Sequence, residues 1–164
     1  FELIEARWLF DLPKEKIKIL VHPESIIHSL VEFCDGSMMA QLGVPNMNIP
    51  ILYALSFPNR LPSTFDHLDL IKIKQLNFEE PDIKTFKHLA FAYKAIEFGG
   101  SLGCVINAAN EIAVEAFLEK RIGFLDMQKI VEKSMESITF VAKPTIEELL
   151  KIDHETREFS GSLI

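Results

Sequence analysis

Two glutamates near the start of the sequence are the first candidates for metal chemistry. Glu2 and Glu5 lie three residues apart in a segment, 1–10, whose residue types are typical of a helix, and residues at this spacing share one helical face. Two neighbouring carboxylates can hold a hard divalent cation such as Mg²⁺ or Mn²⁺, or one can bind the ion while the other supports it. A solvated acidic face has the same pattern, so the spacing alone leaves these alternatives open.

A second group of polar residues lies between His22 and His28 and includes Ser25. Two histidines six residues apart, separated by a proline, do not match the i, i+4 spacing of a helical zinc pair. The sequence also lacks the G-x-S-x-G turn that presents a hydrolase nucleophile. From the residues alone, structural histidines and a turn serine therefore remain an alternative to a binding or catalytic site.

A third candidate is the loop of residues 43–48, which follows the predicted hairpin described below. Gly43 and Pro45 suit a turn, and Met47 can fill a packing gap or flank a flat ring ligand. Asn107 and Glu111 lie among alanines on a predicted helix. We interpret them as structural, because polar groups on a tightly packed helix usually form hydrogen bonds within the bundle.

The composition of the 164 residues is that of a globular protein, with 48% hydrophobic and 25% charged side chains. The 17 basic and 24 acidic side chains give a net charge of −7, which argues against nucleic acid as a partner because such proteins concentrate positive charge. No apolar run reaches the roughly 18 residues that a bilayer span requires, so a membrane partner is also excluded. Two cysteines are too few for a disulfide scaffold, and we expect both to be buried and reduced.

The first half of the sequence predicts a small sheet with flanking helices. The dipeptide Asp35-Gly36 tolerates the positive φ of a tight turn, so we predict a hairpin around it. Two further stretches alternate apolar and polar residues and predict strands, the second of them an exposed edge strand guarded by lysines. The predicted helices are 1–10 and 49–57, and the predicted strands are 17–21, 28–34, 37–42 and 70–76.

From residue 83 the apolar spacing becomes helical and forms four stripes. Four stripes with short links predict a helical bundle. Asp126 is expected to cap the third helix, and Thr145 with Glu148 to form a capping box on the fourth. The inward residues predicted for the first stripe are Phe86, Leu89, Ala90, Tyr93 and Ile96, and those for the fourth are Ile146, Leu149 and Leu150.

Together these elements predict an α+β fold, in which a small mixed or antiparallel sheet with flanking helices precedes a C-terminal helical bundle. We predict the latter part of a catalytic domain over residues 1–57, a connector with an edge strand over 58–82, and the bundle domain over 83–164. The first residue is Phe and already lies in a helical pattern, so we expect the chain to be a piece of a longer protein.

Several short strings in a fixed order resemble those of the 1-deoxy-D-xylulose 5-phosphate reductoisomerase family. The resemblance covers nearly all 164 residues. The strings are Glu2-x-x-Glu5-Ala6-x-x-Leu9-Phe10, His22-Pro23-x-Ser25-x-x-His28-Ser29, Asp35-Gly36-Ser37, Ala40-Gln41-Leu42-Gly43-x-Pro45-x-Met47, Pro50-Ile51 and Asn107-Ala108-Ala109-Asn110-Glu111.

The resemblance implies a role for individual residues. Glu2 matches a carboxylate that binds the divalent metal and contacts the substrate. Glu5 matches the next acidic residue, for which the resemblance implies a role in supporting this ligand or a structural role, rather than metal ligation. Ser25 matches a substrate-binding residue. His28 matches a histidine near the substrate and is the candidate catalytic residue, with no acid–base role assigned to it. Gly43 and Met47 fall where the family approaches the nicotinamide ring of the cofactor.

The resemblance also implies an NADPH-dependent oxidoreductase and isomerase of isoprenoid biosynthesis. Such an enzyme converts 1-deoxy-D-xylulose 5-phosphate, a phosphorylated sugar-like substrate, to 2-C-methyl-D-erythritol 4-phosphate with Mg²⁺ or Mn²⁺. NADPH would be bound mainly by an N-terminal domain that this sequence does not contain, so we expect the segment alone to be inactive. The family implies a homodimer in the bacterial cytoplasm or the plastid stroma. The alternative is a non-catalytic helical association module, a relic or a split product.

Overall fold

The structure is a computed structural model that describes all 164 residues. It contains seven α-helices, one 3₁₀-helix and a two-stranded antiparallel sheet, which confirms the predicted α+β class. In chain order the elements are α1 (Glu2–Leu9), the 3₁₀-helix (Lys14–Lys16), β1 (Ile27–Glu32), β2 (Met38–Leu42), α2 (Asn48–Ser56), α3 (Leu70–Ile73), α4 (Lys87–Phe98), α5 (Leu102–Leu118), α6 (Phe124–Ser137) and α7 (Ile146–Gly161).

The chain forms two compact units. The helical unit comprises residues 1–19 and 82–164, and the hairpin unit comprises residues 20–81. This grouping differs from the three predicted segments, because α1 packs against α4 and thereby joins the helical unit. The domain boundaries 1–57, 58–82 and 83–164 stay a prediction.

Helix α5 is the centre of the helical unit and packs against α4, α6 and α7. Its alanines are fully buried, as the sequence predicts, because small side chains allow neighbouring helices to approach closely. Val131 of α6 and Phe91 of α4 fill the space against this alanine surface. The buried alanines are Ala108, Ala109, Ala113 and Ala116.

Polar contacts join α5 to α7 on the outside of the unit. Asn107 donates a hydrogen bond to Glu111 at 3.0 Å, and Glu111 pairs with the Arg157 guanidinium at 2.8 Å. These partners, Arg157 first, hold the pKa of Glu111 below its usual value. The geometry agrees with a structural interpretation of Asn107 and Glu111.

The ends of the last two helices follow the capping rules. On α7, Thr145 and Glu148 form the predicted capping box, in which each side chain bonds the other residue's backbone N–H. On α6 the prediction needs a correction, since Gly123 occupies the cap position. Asp126 instead accepts the N–H of Gly123 at 3.0 Å.

Two predicted apolar stripes are shifted. The buried residues of α4 are Phe91, Ala92 and Ala95, because the helix packs against both α1 and α5. None of these three residues belongs to the predicted stripe. On α7, Ile146 and Leu150 are exposed. Its buried residues are Ile152, Thr156 and Ser160, and the Ser160 hydroxyl lies 2.9 Å from that of Ser134 on α6.

The hairpin unit is built on the predicted hairpin, which the structure confirms. Gly36 adopts a φ of +83° in the turn, and the Asp35 carboxylate accepts hydrogen bonds from the N–H and hydroxyl of Ser37 at 2.9 and 2.6 Å. These bonds lower the pKa of Asp35. Every position of both strands is at least partly exposed, so the hairpin carries little apolar core of its own.

The two other predicted strands are wrong. Residues 17–21 are irregular, and only Val21 pairs in a β-bridge, with Glu79. Within 70–76 the structure has the short helix α3, because the Asp69 carboxylate accepts the N–H groups of Ile71 and Lys72 and so caps a helical turn. The alternating pattern of this stretch had no neighbouring strand to pair with.

The composition led us to expect buried, reduced cysteines and no membrane-spanning helix. Both cysteines are free, but Cys34 is exposed near the hairpin turn. Cys104 is partly buried, and burial raises the pKa of its thiol. None of the helices combines the length and the apolar run that crossing a bilayer requires.

Candidate functional site

The acidic pair belongs to the helical unit. Glu2 and Glu5 lie in the first turn of α1, and both are exposed. Buried Leu3 fixes this turn, and Ile4 packs against the core cluster that includes Phe91 of α4. The packed first turn of α1 therefore carries two carboxylates that are exposed to solvent.

The chemistry of these donors suits a hard cation only in part. Carboxylate oxygens are preferred ligands of Mg²⁺, which takes six oxygen ligands and usually keeps several waters. The chain nowhere brings together three or more side chains that could hold a metal ion. Glu2 can thus supply one oxygen ligand, and the remaining ligands have to come from water, from substrate or from polypeptide outside these 164 residues.

Ser25 and His28 belong to the hairpin unit and lie where its first strand begins. Ser25 closes a turn in which its N–H donates to the carbonyl of His22 at 3.0 Å, and it has a φ of +50°. The register of the hairpin shifts between Ile27 and Ser29, which makes His28 the extra residue of a β-bulge. Bulges redirect a side chain and are frequent beside active sites.

The structure brings His28 and Gly43 together. A Cβ placed on Gly43 would lie 3.7 Å from Nε2 of His28, and the Gly43 N–H donates to the Ile26 carbonyl at 3.0 Å. Gly43 is buried, and a Cβ at this position would be in ordinary van der Waals contact with the imidazole. Met47 is elsewhere, at the cap position of α2, with 68% of its surface exposed.

Sequence reasoning missed a polar cluster at the start of the loop of residues 22–28, which leads into β1. The His22 ring stacks on Phe78 with 4.9 Å between centroids, and its Nδ1 lies 2.7 Å from the Asn77 carbonyl. Glu24 accepts the Asn77 backbone N–H at 3.1 Å and also the Asn77 side-chain amide. These bonds, the backbone one first, lower the pKa of Glu24. Only the His22-Pro23 string marked this region in the sequence, since Asn77 lies 53 positions away.

The hairpin unit also contains a cavity of about 230 Å³. Gly43 lines it, whereas Ser25, His28 and Met47 do not. On another wall the guanidinium of Arg60 stacks on the ring of Tyr53 at 3.5 Å from its centroid. Of the residues predicted to form a site, the cavity therefore gathers only Gly43.

Comparison with known proteins matches the whole chain to one family. Residues 42–159 match the model of the DXP reductoisomerase C-terminal domain. A 1-deoxy-D-xylulose 5-phosphate reductoisomerase of Phocaeicola vulgatus is 46% identical over 164 residues, which are 100% of this chain and 43% of the relative. The enzyme of Caldanaerobacter subterraneus subsp. tengcongensis is 50% identical over 159 residues, 96% of this chain and 42% of the relative.

Solved structures agree. The reductoisomerase from Zymomonas mobilis in complex with NADPH superposes with a TM-score of 0.90 at 49% identity, covering 99% of this chain and 43% of that protein. A DOX-P reductoisomerase in complex with NADPH, fosmidomycin and magnesium gives a TM-score of 0.90 at 38% identity, covering 98% of this chain and 42% of that protein.

The fold and these matches define the chain as part of a reductoisomerase. It belongs to the 1-deoxy-D-xylulose 5-phosphate reductoisomerase family. The chain spans 42–43% of the length of the relatives described above.

Proposed function

We propose that the chain is the C-terminal segment of an enzyme that converts 1-deoxy-D-xylulose 5-phosphate to 2-C-methyl-D-erythritol 4-phosphate with NADPH, in isoprenoid biosynthesis. The observation that carries this proposal is the agreement, at a TM-score of 0.90 over 98–99% of the chain, with reductoisomerases bound to NADPH or to NADPH, fosmidomycin and magnesium. The bacterial relatives support the bacterial cytoplasm as its location, with the plastid stroma as the alternative.

Glu2 is proposed as the metal ligand and as a contact to the substrate. When bound, a divalent cation polarises a carbonyl oxygen and stabilises negative charge on it as the carbon skeleton rearranges. The exposed Glu2 carboxylate in the first turn of α1 would supply one oxygen ligand to that ion. Glu5, three residues further along in the same turn of α1, would support the ligand through the local negative charge.

Ser25 and His28 are proposed to contact the phosphorylated substrate. The bulge at His28 and the turn at Ser25 fix the backbone that carries both side chains, which contributes to the preorganisation that orients a reactant. His28 is the candidate catalytic residue. Gly43 and Met47 are proposed to approach the nicotinamide, since Gly43 lines the cavity of the hairpin unit without a side chain and Met47 has an exposed thioether.

Turnover by the full-length enzyme, compared with that of the isolated chain, tests this proposal. A full-length protein carrying these 164 residues is expected to oxidise NADPH when given 1-deoxy-D-xylulose 5-phosphate and Mg²⁺. The 164-residue chain alone is expected to show no turnover and only weak Mn²⁺ binding, because it brings together no group of three or more side chains that could hold the ion. Tight Mn²⁺ binding or NADPH oxidation by the isolated chain contradicts its dependence on upstream sequence. An inactive full-length protein favours the association module.

We further propose that the enzyme is a homodimer joined through the hairpin. An isolated two-stranded sheet is marginally stable in water and has free edges that pair readily with other strands. Val31 and Met39 are paired across the strands and are 55% and 66% exposed, which gives this sheet an apolar face to cover.

A charge on the hairpin tests the dimer. Val31→Glu combined with Met39→Glu is expected to convert the full-length enzyme from dimer to monomer in sedimentation velocity. Ile71→Glu, which changes an 85% exposed apolar residue outside the hairpin, is the matched control and is expected to leave the mass unchanged. An unchanged mass in the hairpin variant would contradict the proposal that the hairpin forms the dimer interface.

A further inference from the structure

The segment that leads into Ser25 is fastened to a distant part of the hairpin unit. Val21 and Glu79 exchange two backbone hydrogen bonds, at 3.0 and 2.9 Å. One step further on, Nδ1 of His22 lies 2.7 Å from the Asn77 carbonyl, and Glu24 receives two hydrogen bonds from Asn77. We call the paired bonds between these last two residues the Glu24–Asn77 clasp.

The clasp lies directly before a backbone that needs support. Ser25 has a φ of +50°, in the left-handed region that residues other than glycine adopt at a cost and that is frequent at functional sites. Its N–H is held by the carbonyl of His22, whose side chain is 7% exposed and packed on Phe78. Glu24 also lies 3.1 Å from Nδ1 of His22, and both residues contact Asn77. Releasing Glu24 from Asn77 therefore removes part of the support of the turn at Ser25.

The other end of the same loop is fixed independently. Ile26 is buried, and its carbonyl accepts the N–H of Gly43, while His28 occupies the bulge against that glycine. The loop of residues 22–28 is thus anchored at both ends, by the clasp at one and by the hairpin at the other. Anchoring at both ends is what keeps a loop within the narrow geometry that substrate orientation demands.

We propose that Glu24 and Asn77 are positioning residues of the reductoisomerase, which hold Ser25 and His28 in the arrangement that receives the phosphorylated substrate. This inference rests on the proposed function. Neither residue touches the reacting atoms. Their effect reaches the substrate through the turn at Ser25.

An exchange of the two partners tests the clasp in the full-length enzyme. Asn77→Asp places two carboxylates face to face and removes the amide donor, so the KM for 1-deoxy-D-xylulose 5-phosphate is expected to rise about tenfold with kcat within about twofold. The double variant Glu24→Gln with Asn77→Asp restores the side-chain bond in the opposite direction, and its amide oxygen still accepts the N–H of residue 77. Its KM is expected to return to within about twofold of the original value.

A control variant and a second measurement separate this role from general stability. Asp69→Ala also removes two hydrogen bonds that a carboxylate accepts from backbone N–H groups in the hairpin unit, and it is expected to leave KM unchanged. Hydrogen exchange of residues 22–28 in the same full-length proteins is expected to accelerate at least tenfold in Asn77→Asp alone. Hydrogen exchange does not depend on catalysis. It therefore tests whether the clasp holds the loop even if the full-length enzyme shows no turnover.

Two results overturn the proposal. One is a double variant whose KM and hydrogen exchange stay as altered as those of Asn77→Asp, because the paired bonds are then irrelevant. The other is unchanged exchange in Asn77→Asp, which shows that the loop keeps its geometry without the clasp.

Discussion

Replacing Glu2 with Gln in the full-length enzyme is expected to lower kcat/KM for 1-deoxy-D-xylulose 5-phosphate about a thousandfold. The substitution keeps the size of the side chain but removes the negative charge, and loss of a metal-binding carboxylate removes about 4 kcal/mol of transition-state stabilisation. The exposed position of Glu2 in the first turn of α1 means that the fold itself should tolerate the change. Steady-state oxidation of NADPH at increasing Mg²⁺ concentrations measures the effect.

Glu5→Gln is the matched control for this prediction. The same helix turn carries both residues, and both are exposed, so a general effect of charge on α1 would appear in both variants. A supporting carboxylate is expected to change activity and metal affinity by about 10- to 100-fold at most. Equal losses in the two variants would show that Glu2 has no special role as a ligand.

Adding one methyl group at Gly100 is expected to lower the free energy of unfolding of the helical unit by about 3 kcal/mol. Gly100 has a φ of +56°, where a Cβ costs about 1 kcal/mol or more. The new Cβ would also overlap the carbonyl oxygen of Val141 and lie 2.9 Å from the ring of Phe140, and relief of such overpacking costs a further 1–3 kcal/mol or so. Urea unfolding of the Gly100→Ala variant measures the loss.

Gly103→Ala is the control for the added methyl group. Gly103 lies within α5, and a Cβ there would meet no atom within 4 Å. Alanine has the higher helix propensity, so this variant is expected to be more stable by about 0.5–1 kcal/mol. If Gly100→Ala unfolds at the same urea concentration as the parent chain, the tight contact between residues 100 and 141 is not present in solution.

Local patterns in the sequence predicted the elements that local chemistry determines. The Asp35-Gly36 turn, the alanine surface of α5 and the Thr145–Glu148 capping box are all present, because each depends on residues within one turn or one helical face. Strand 70–76 failed because its alternating pattern competed with a capping carboxylate, Asp69, that stabilises the first turn of a helix.

The buried faces of α4 and α7 depended on contacts that no local pattern contains. Helix α4 packs between α1 and α5, so residues such as Phe91 are covered on a face that periodicity did not select. On α7, Ser160 is buried because its hydroxyl meets Ser134 across the interface. In the sequence, polar residues such as these two serines predict an exposed helix face rather than a buried one.

The candidate site shows the same division. The strings around Glu2, Ser25 and His28 could be singled out from residue types and order, and the roles of these residues stay predictions. The β-bulge at His28 and the clasp between Glu24 and Asn77 could not, because both depend on pairing with residues distant in sequence. Long-range pairing of this kind is what the folded chain adds to the sequence.

Anomalous X-ray diffraction from crystals of the full-length enzyme grown with Mn²⁺ tests the central claim most directly. The proposed role of Glu2 predicts a manganese peak within about 2.0–2.3 Å of a carboxylate oxygen of Glu2, with the remaining ligands supplied from outside these 164 residues. A peak held by other side chains, with no density beside the Glu2 carboxylate, would contradict the role of this residue as the metal ligand.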